Sequence, residues 1–145
     1  MPEAHLVVGC ALIVLNAAAF AVGGVAWLRK RSSIPFWYLL RAAQAAVILQ
    51  AMLGGLLVFT GHKPDESLHY LYGILPLFVS LVAEGARGGA AERELRDIPD
   101  FEALPGEDQQ SIALAIVRRE MGIMAVSAGV ILFLGLRAAT TSGAF

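Results

Sequence analysis

Charge is scarce in this chain. Of its 145 residues only 16% are Asp, Glu, Lys or Arg, against about 25% in an ordinary soluble domain. Hydrophobic residues supply 57% and the mean hydropathy is +0.67, a balance that excludes disordered, collagen-like and coiled-coil chains. With one cysteine, Cys10, an intrachain disulfide and a cysteine-based zinc site are excluded. A formal net charge of −1 and a pI near 6.3 leave no basic excess for nucleic acid, so no nucleic-acid partner is expected. Most of the charge collects in 29–31 and 84–120. The rest of the chain is left as long apolar blocks, and the expected solvent is a lipid bilayer.

Four blocks are candidate spans, the third, 68–83, shorter than the others. A helix rising about 1.5 Å per residue needs roughly 20 residues to span the hydrocarbon. The first block, LVVGCALIVLNAAAFAVGGVAWL over 6–28, is uncharged and ends at Arg29-Lys30-Arg31. A cleaved signal peptide has its positive charge before a shorter core; here nothing basic precedes it, which predicts a retained helix. The second block opens at Pro35, a residue suited to the first helical position, and closes at Thr60-Gly61. Its one charge, Arg41, sits where a long side chain can snorkel. The third begins after Ser67, a predicted N-cap with Asp65 and Glu66 near the positive end of the helix dipole, and ends near Glu84. The fourth is preceded by a helical run, 108–120, and should emerge from the membrane at its N-terminal end.

The predicted architecture is therefore all-α and integral to the membrane. One domain, 1–145, forms a four-transmembrane-helix, up-down-up-down bundle. Its spans cover about 5–28, 35–60, 68–84 and 112–139, and a polar connector, broken by Pro99, Pro105 and several glycines, covers 85–111. Basic residues mark the cytoplasmic side of a span. Arg29, Lys30, Arg31, Arg87, Arg93, Arg96, Arg118 and Arg119 fall on one side, and Lys63 and Arg137 on the other. The expected placement is in the cell membrane, with both termini extracytoplasmic and the connector cytoplasmic.

Chemistry is concentrated in two of the three histidines. His62 lies in the GHKPDES turn and reads as an exposed residue. His5 opens the first span and His69 the third, at similar depth. In such a bundle these spans are diagonal. Neighbouring helices pack about 8–10 Å apart, which leaves roughly 11–14 Å across the diagonal, room for a flat macrocycle with an imidazole on each side. Gly9 and Gly73 follow the two histidines at i+4 and so share their helix faces. Each would give a porphyrin a bare patch of backbone one turn deeper. The competing reading is a pair of interfacial histidines with their rings at the headgroups, in helices where glycine is common. Asn16, Gln44, Gln50 and Ser127 read as interhelical hydrogen-bonding residues. Gly54, Gly55, Gly122, Ala125 and Gly129 read as close-packing positions, and Pro76 as a kink in span three. Glu84 is expected to pair with Arg87 or Arg119.

The stretch Leu49-Gln50-Ala51-Met52-Leu53-Gly54-Gly55-Leu56-Leu57-Val58-Phe59-Thr60-Gly61, followed by Leu68-His69, resembles the heme A synthase family. There an LQ-x-x-LGG-x-x-V-x-TG segment leads into a helix with a heme-ligating histidine. Those enzymes have two four-helix bundles, each holding heme between two histidines near the extracytoplasmic side. The likeness is best over about 40–80 and weaker over 5–28. It implies that His5 and His69 are axial ligands to heme iron. The chain also departs from the family. It has the spans of a single bundle, lacks the extracytoplasmic cysteine pair of many bacterial members, and has Pro2 where the catalytic bundle has a glutamate.

The expected function is accordingly that of a small heme-binding, b-type cytochrome-like membrane protein resembling half of a heme A synthase. Two histidine ligands fill both axial positions, which favours electron transfer or heme handling over oxygen chemistry. Whether the chain is an enzyme stays open. Lys63, His62 and Arg137 are the cations that could pair with propionates, Arg137 first among them. Expected partners are the bilayer, heme, and membrane proteins of the respiratory chain or of heme biosynthesis. The alternative is a cofactor-free accessory or assembly subunit acting through its cytoplasmic segment. A proton-coupled transporter is disfavoured, since no acidic residue falls in mid-membrane.

Overall fold

In the computed structural model, which describes residues 2–64 and 66–141, the chain is four α-helices. They are α1 (Pro2–Leu28), α2 (Ile34–Phe59), α3 (Leu68–Leu95) and α4 (Gly106–Thr140). All four are long and apolar enough to cross a membrane, and helices satisfy in lipid every backbone group that would otherwise be unpaired. Large apolar side chains such as Val7, Val14, Tyr38, Phe59, Phe78, Leu81 and Phe133 are exposed on the outside of the bundle, the surface lipid would cover.

The helices pack in a ring: α1 on α2 and α4, α3 on α4, and α2 more sparsely on α3. No close approach joins α1 to α3, so these two are diagonal. The seam between α1 and α4 is built of glycines under large side chains. A Cβ on Gly122 would come within 2.7 Å of the Trp27 indole, one on Gly129 within 2.9 Å of Phe20, and one on Gly135 within 3.1 Å of Leu12. The order is reversed along the two helices, which therefore run antiparallel. Gly122, Ala125 and Gly129 are thus close-packing positions, as their spacing suggests. Gly54 is one too, set against the His5 ring, whereas Gly55 meets open space.

The core forms two layers. Ala19, Phe36, Leu40, Met121, Met124 and Ala128 are buried together near the 29–33 turn. Leu12, Val47 and Ile131 form a smaller layer further along. Beyond that layer the bundle is hollow.

Several local features differ from the sequence expectation. Helix α3 does not stop at Glu84 but continues to Leu95, and α4 begins at Gly106, so the expected connector 85–111 shrinks to 96–105. Glycine in a helix costs only about 1 kcal/mol, and ion pairs fasten this extension: Glu84 to Arg87 (2.8 Å), Arg87 to Glu120 (3.7 Å) and Glu94 to Arg119 (2.7 Å). Glu84 also binds Arg41 at 2.6 Å and accepts from Gln44 at 2.8 Å; Arg119 is not its partner. Asn16 and Ser127 are buried but bond within their own helices, to the Leu12 and Met124 carbonyls. Ser67 stands at the start of α3 without a capping hydrogen bond; Asp65 lies outside the described residues. Pro35 stands in the first turn of α2 but at its second position, after Ile34; the N-cap is Ser33, whose hydroxyl accepts from the Phe36 amide. Pro76 lies buried inside α3.

Helices α1 and α2 end in the same way. The amides of Arg31 and His62 reach back to Ala26 and Leu57, and those of Lys30 and Gly61 to Trp27 and Val58. This paired pattern requires a left-handed residue at the second position. Gly61 fills it at φ 84°, but after α1 the residue is Lys30, at φ 54°. Left-handed backbone costs a residue with a Cβ about 1–2 kcal/mol.

Candidate functional site

The hollow end of the bundle is a cavity of about 660 Å³, within the usual range of about 300–1,000 Å³ for small-molecule sites. All four helices line it, with the start of α1 and α3 meeting the end of α2 and α4. The lining is mostly apolar. Its polar groups are few: His5, Gln50, His62, Lys63, His69 and two tyrosines, Tyr70 and Tyr72.

His5 and His69 come together across this cavity. Their ring centroids are 6.1 Å apart at an interplanar angle of 61°, and both residues are half-buried. His69 Nδ1 lies 3.0 Å from the Ala138 carbonyl in the last turn of α4. A carbonyl only accepts, so this nitrogen carries the proton and Nε2 keeps its lone pair. The carbonyl is one of those a helix leaves unpaired at its C-terminal end.

His5 is held by Gln50 of α2, which makes the interhelical hydrogen bond its place in an apolar span suggests. Gln50 donates from its side-chain amide to His5 Nε2 at 3.1 Å. The other ends of both groups, His5 Nδ1 and Gln50 Oε1, are buried and without a hydrogen-bond partner among the described residues. A buried polar atom left unpaired costs about 1–3 kcal/mol. Two such atoms, on neighbouring side chains of one cavity, make this corner the least satisfied among the described residues. Its sequence signal was present: Gln50 is an uncharged polar residue within an apolar span.

The glycines flanking the histidines differ. Gly73 has open space where its Cβ would stand, so it is a bare patch on the cavity wall. Gly9 also lines the cavity, but a Cβ there would meet the Gln50 amide at 3.1 Å. Its patch is covered by the same side chain that occupies His5. Lys63 and His62 are exposed residues at the rim, and His62 Nδ1 lies 3.2 Å from the Thr60 hydroxyl. Arg137 does not line the cavity; its guanidinium lies 5.6 Å from the centre of the Tyr72 ring, which does. The cation–π contact turns it towards α3.

Among the described residues no three His, Cys, Asp or Glu side chains gather into a metal site. Of the imidazoles lining the cavity, the His5 and His69 rings are paired at 6.1 Å. No family model, no curated protein and no solved structure matches the chain at a significant level.

Proposed function

We propose that this protein binds one heme in the cavity, with the iron between His5 and His69, and acts in electron transfer or heme handling. The observation that carries the reading is the 6.1 Å between the two rings. Metal–imidazole bonds of about 2.0 Å on each side of one ion place two ring centroids about 6 Å apart. The open backbone at Gly73 and the apolar walls suit a flat hydrophobic ring. His5 and His69 would hold heme of the b type, which would supply one-electron chemistry when bound.

The chain's own residues divide the work. Ala138 fixes the His69 tautomer that leaves Nε2 free, the outer-shell arrangement usual for ligating histidines. Gln50 covers His5 Nε2, so ligation through that nitrogen requires its amide to turn away. Lys63 and His62 supply positive charge at the mouth, where carboxylates of a bound ring would emerge. The resemblance to one half of a heme A synthase supports the same reading. With Pro2 in place of the family's glutamate, methyl oxidation of heme is not part of the proposal.

We further propose that the cavity faces the outside of the cell. The basic residues near the opposite end of the bundle support that orientation. The deciding experiment is an absorption spectrum of the protein purified after expression with ample heme. The sharp reduced bands of a six-coordinate low-spin heme, lost in either His5→Ala or His69→Ala, are expected. A colourless wild-type protein would overturn the reading in favour of a cofactor-free membrane subunit.

A further inference from the structure

At the end of the bundle opposite the histidines, a second pocket lies between the α1–α2 turn and α4. It measures about 230 Å³ and is lined by Lys30, Arg31, Ser32, Ser111, Leu114 and Arg118, among others. From this pocket we infer a binding site for the phosphate of an anionic phospholipid headgroup.

The residues meet there for a definite reason. Ser111, Leu114, Ala115 and Arg118 fall at i, i+3, i+4 and i+7 of α4, one stripe of a helix, and the stripe faces the 30–32 turn. The neighbouring charges of α4 turn elsewhere: Arg119 to Glu94 and Glu120 to Arg87, both on α3. No ion pair neutralises Lys30, Arg31 or Arg118 among the described residues. Three cations thus share one pocket with the Ser32 hydroxyl and no carboxylate in its lining; the Ser111 hydroxyl donates to the Asp108 carbonyl of its own helix at 2.9 Å.

The turn itself supports a need for charge. The left-handed position after α1 is where glycine fits best, and the matching turn after α2 has Gly61 there. Lys30 is held in that strained conformation and lines the pocket. An outlier of this kind, where a cheaper residue was available, is a reason to ask what the side chain does.

The level in the membrane also fits. Trp27 in the last turn of α1, and Trp37 and Tyr38 in the first turns of α2, mark this end of the bundle. Trp and Tyr concentrate at the headgroup level. Exposed Leu114 continues the pocket with apolar surface, where the glycerol and first methylenes of a lipid would rest. Basic pockets between membrane helices recognise such headgroups. Soluble phosphate shares the chemistry but has no use for that apolar edge.

Native mass spectrometry of the protein released from nanodiscs of mixed phosphatidylglycerol and phosphatidylcholine tests the site. The wild type should retain phosphatidylglycerol in preference to phosphatidylcholine. Arg118→Gln and Lys30→Gly should each lower that retention about fivefold, the effect of roughly one surface cation. Lys30→Gly relieves the strained turn and so should fold at least as well as the wild type. Lys63→Gln, at the other end of the bundle, should leave retention unchanged. Equal retention in wild type, Arg118→Gln and Lys30→Gly would overturn the site. Displacement of the lipid by millimolar inorganic phosphate would overturn the lipid assignment and leave a soluble-phosphate site. The outcome is independent of whether heme binds, because the two cavities lie at opposite ends.

Discussion

Gln50 places its side-chain amide 3.1 Å from His5 Nε2 and in doing so lies over Gly9 as well. One side chain therefore closes both features that the start of α1 would present to a ligand, the nitrogen and the bare backbone beside it. The matching features at the start of α3 are open: His69 Nε2 is not used by its bond to Ala138, and Gly73 faces empty space. The starts of α1 and α3 share a histidine with a glycine four residues on, but differ in readiness.

Removing Gln50 should favour occupancy. In Gln50→Ala the His5 nitrogen is released and Gly9 is uncovered, so heme should load at least as completely as in wild type. The lost hydrogen bond should lower thermal stability by about 1 kcal/mol. Heme titration followed by optical absorption measures the first quantity and a circular dichroism melt the second. Loss of the low-spin spectrum in this variant would mean that Gln50 orients His5 rather than blocks it.

The three histidines should separate cleanly. His5→Ala and His69→Ala should each abolish the six-coordinate spectrum, whereas His62→Ala, an exposed residue bonded to Thr60, should retain it. A full low-spin spectrum in His5→Ala would rule out the paired-imidazole arrangement and move attention to His62.

Glycine substitutions distinguish cavity from packing. Gly73→Ala has room for its methyl and should be neutral, but Gly73→Leu should fill the cavity and exclude heme while the fold persists. Gly122→Ala behaves in the opposite way. Its Cβ would press on the Trp27 indole at 2.7 Å, and overpacking of this kind costs about 1–3 kcal/mol with no change in the spectrum of protein that remains folded.

Orientation can be read with thiol labelling. In a Cys10→Ser background, an introduced Ser142→Cys should react with an impermeant reagent in intact cells, and Glu102→Cys in the 96–105 connector should react only after lysis. The reverse pattern would place the histidine cavity on the cytoplasmic side.

Heme A synthase activity should be low or absent. Expression in a host that accumulates heme O should yield little or no heme A, since the resemblance puts Pro2 at the place of the family's glutamate. Substantial heme A in the extracted pigments would refute this.

The sequence by itself determined the class of fold. Scarce charge gathered into two stretches leaves four apolar blocks, and in lipid an uncharged block of that length has only the helix available to it. It also marked His5 and His69 as the residues to watch, because polar groups in apolar spans need a reason to be there. What it could not determine was anything set by side-chain direction across helices. The polar look of 85–95 suggested a loop, but Glu84, Arg87 and Glu94 find partners on α2 and α4 that hold it helical. Asn16 and Ser127 turned to their own backbones rather than to neighbours. Only the tertiary structure set His5 beside His69, put Gln50 against one ring and the Ala138 carbonyl against the other, and paired Arg119 with Glu94 while Arg118 has no ion-pair partner among the described residues. Hydropathy is a property summed along the chain, whereas a site depends on which few side chains from separate helices reach the same point.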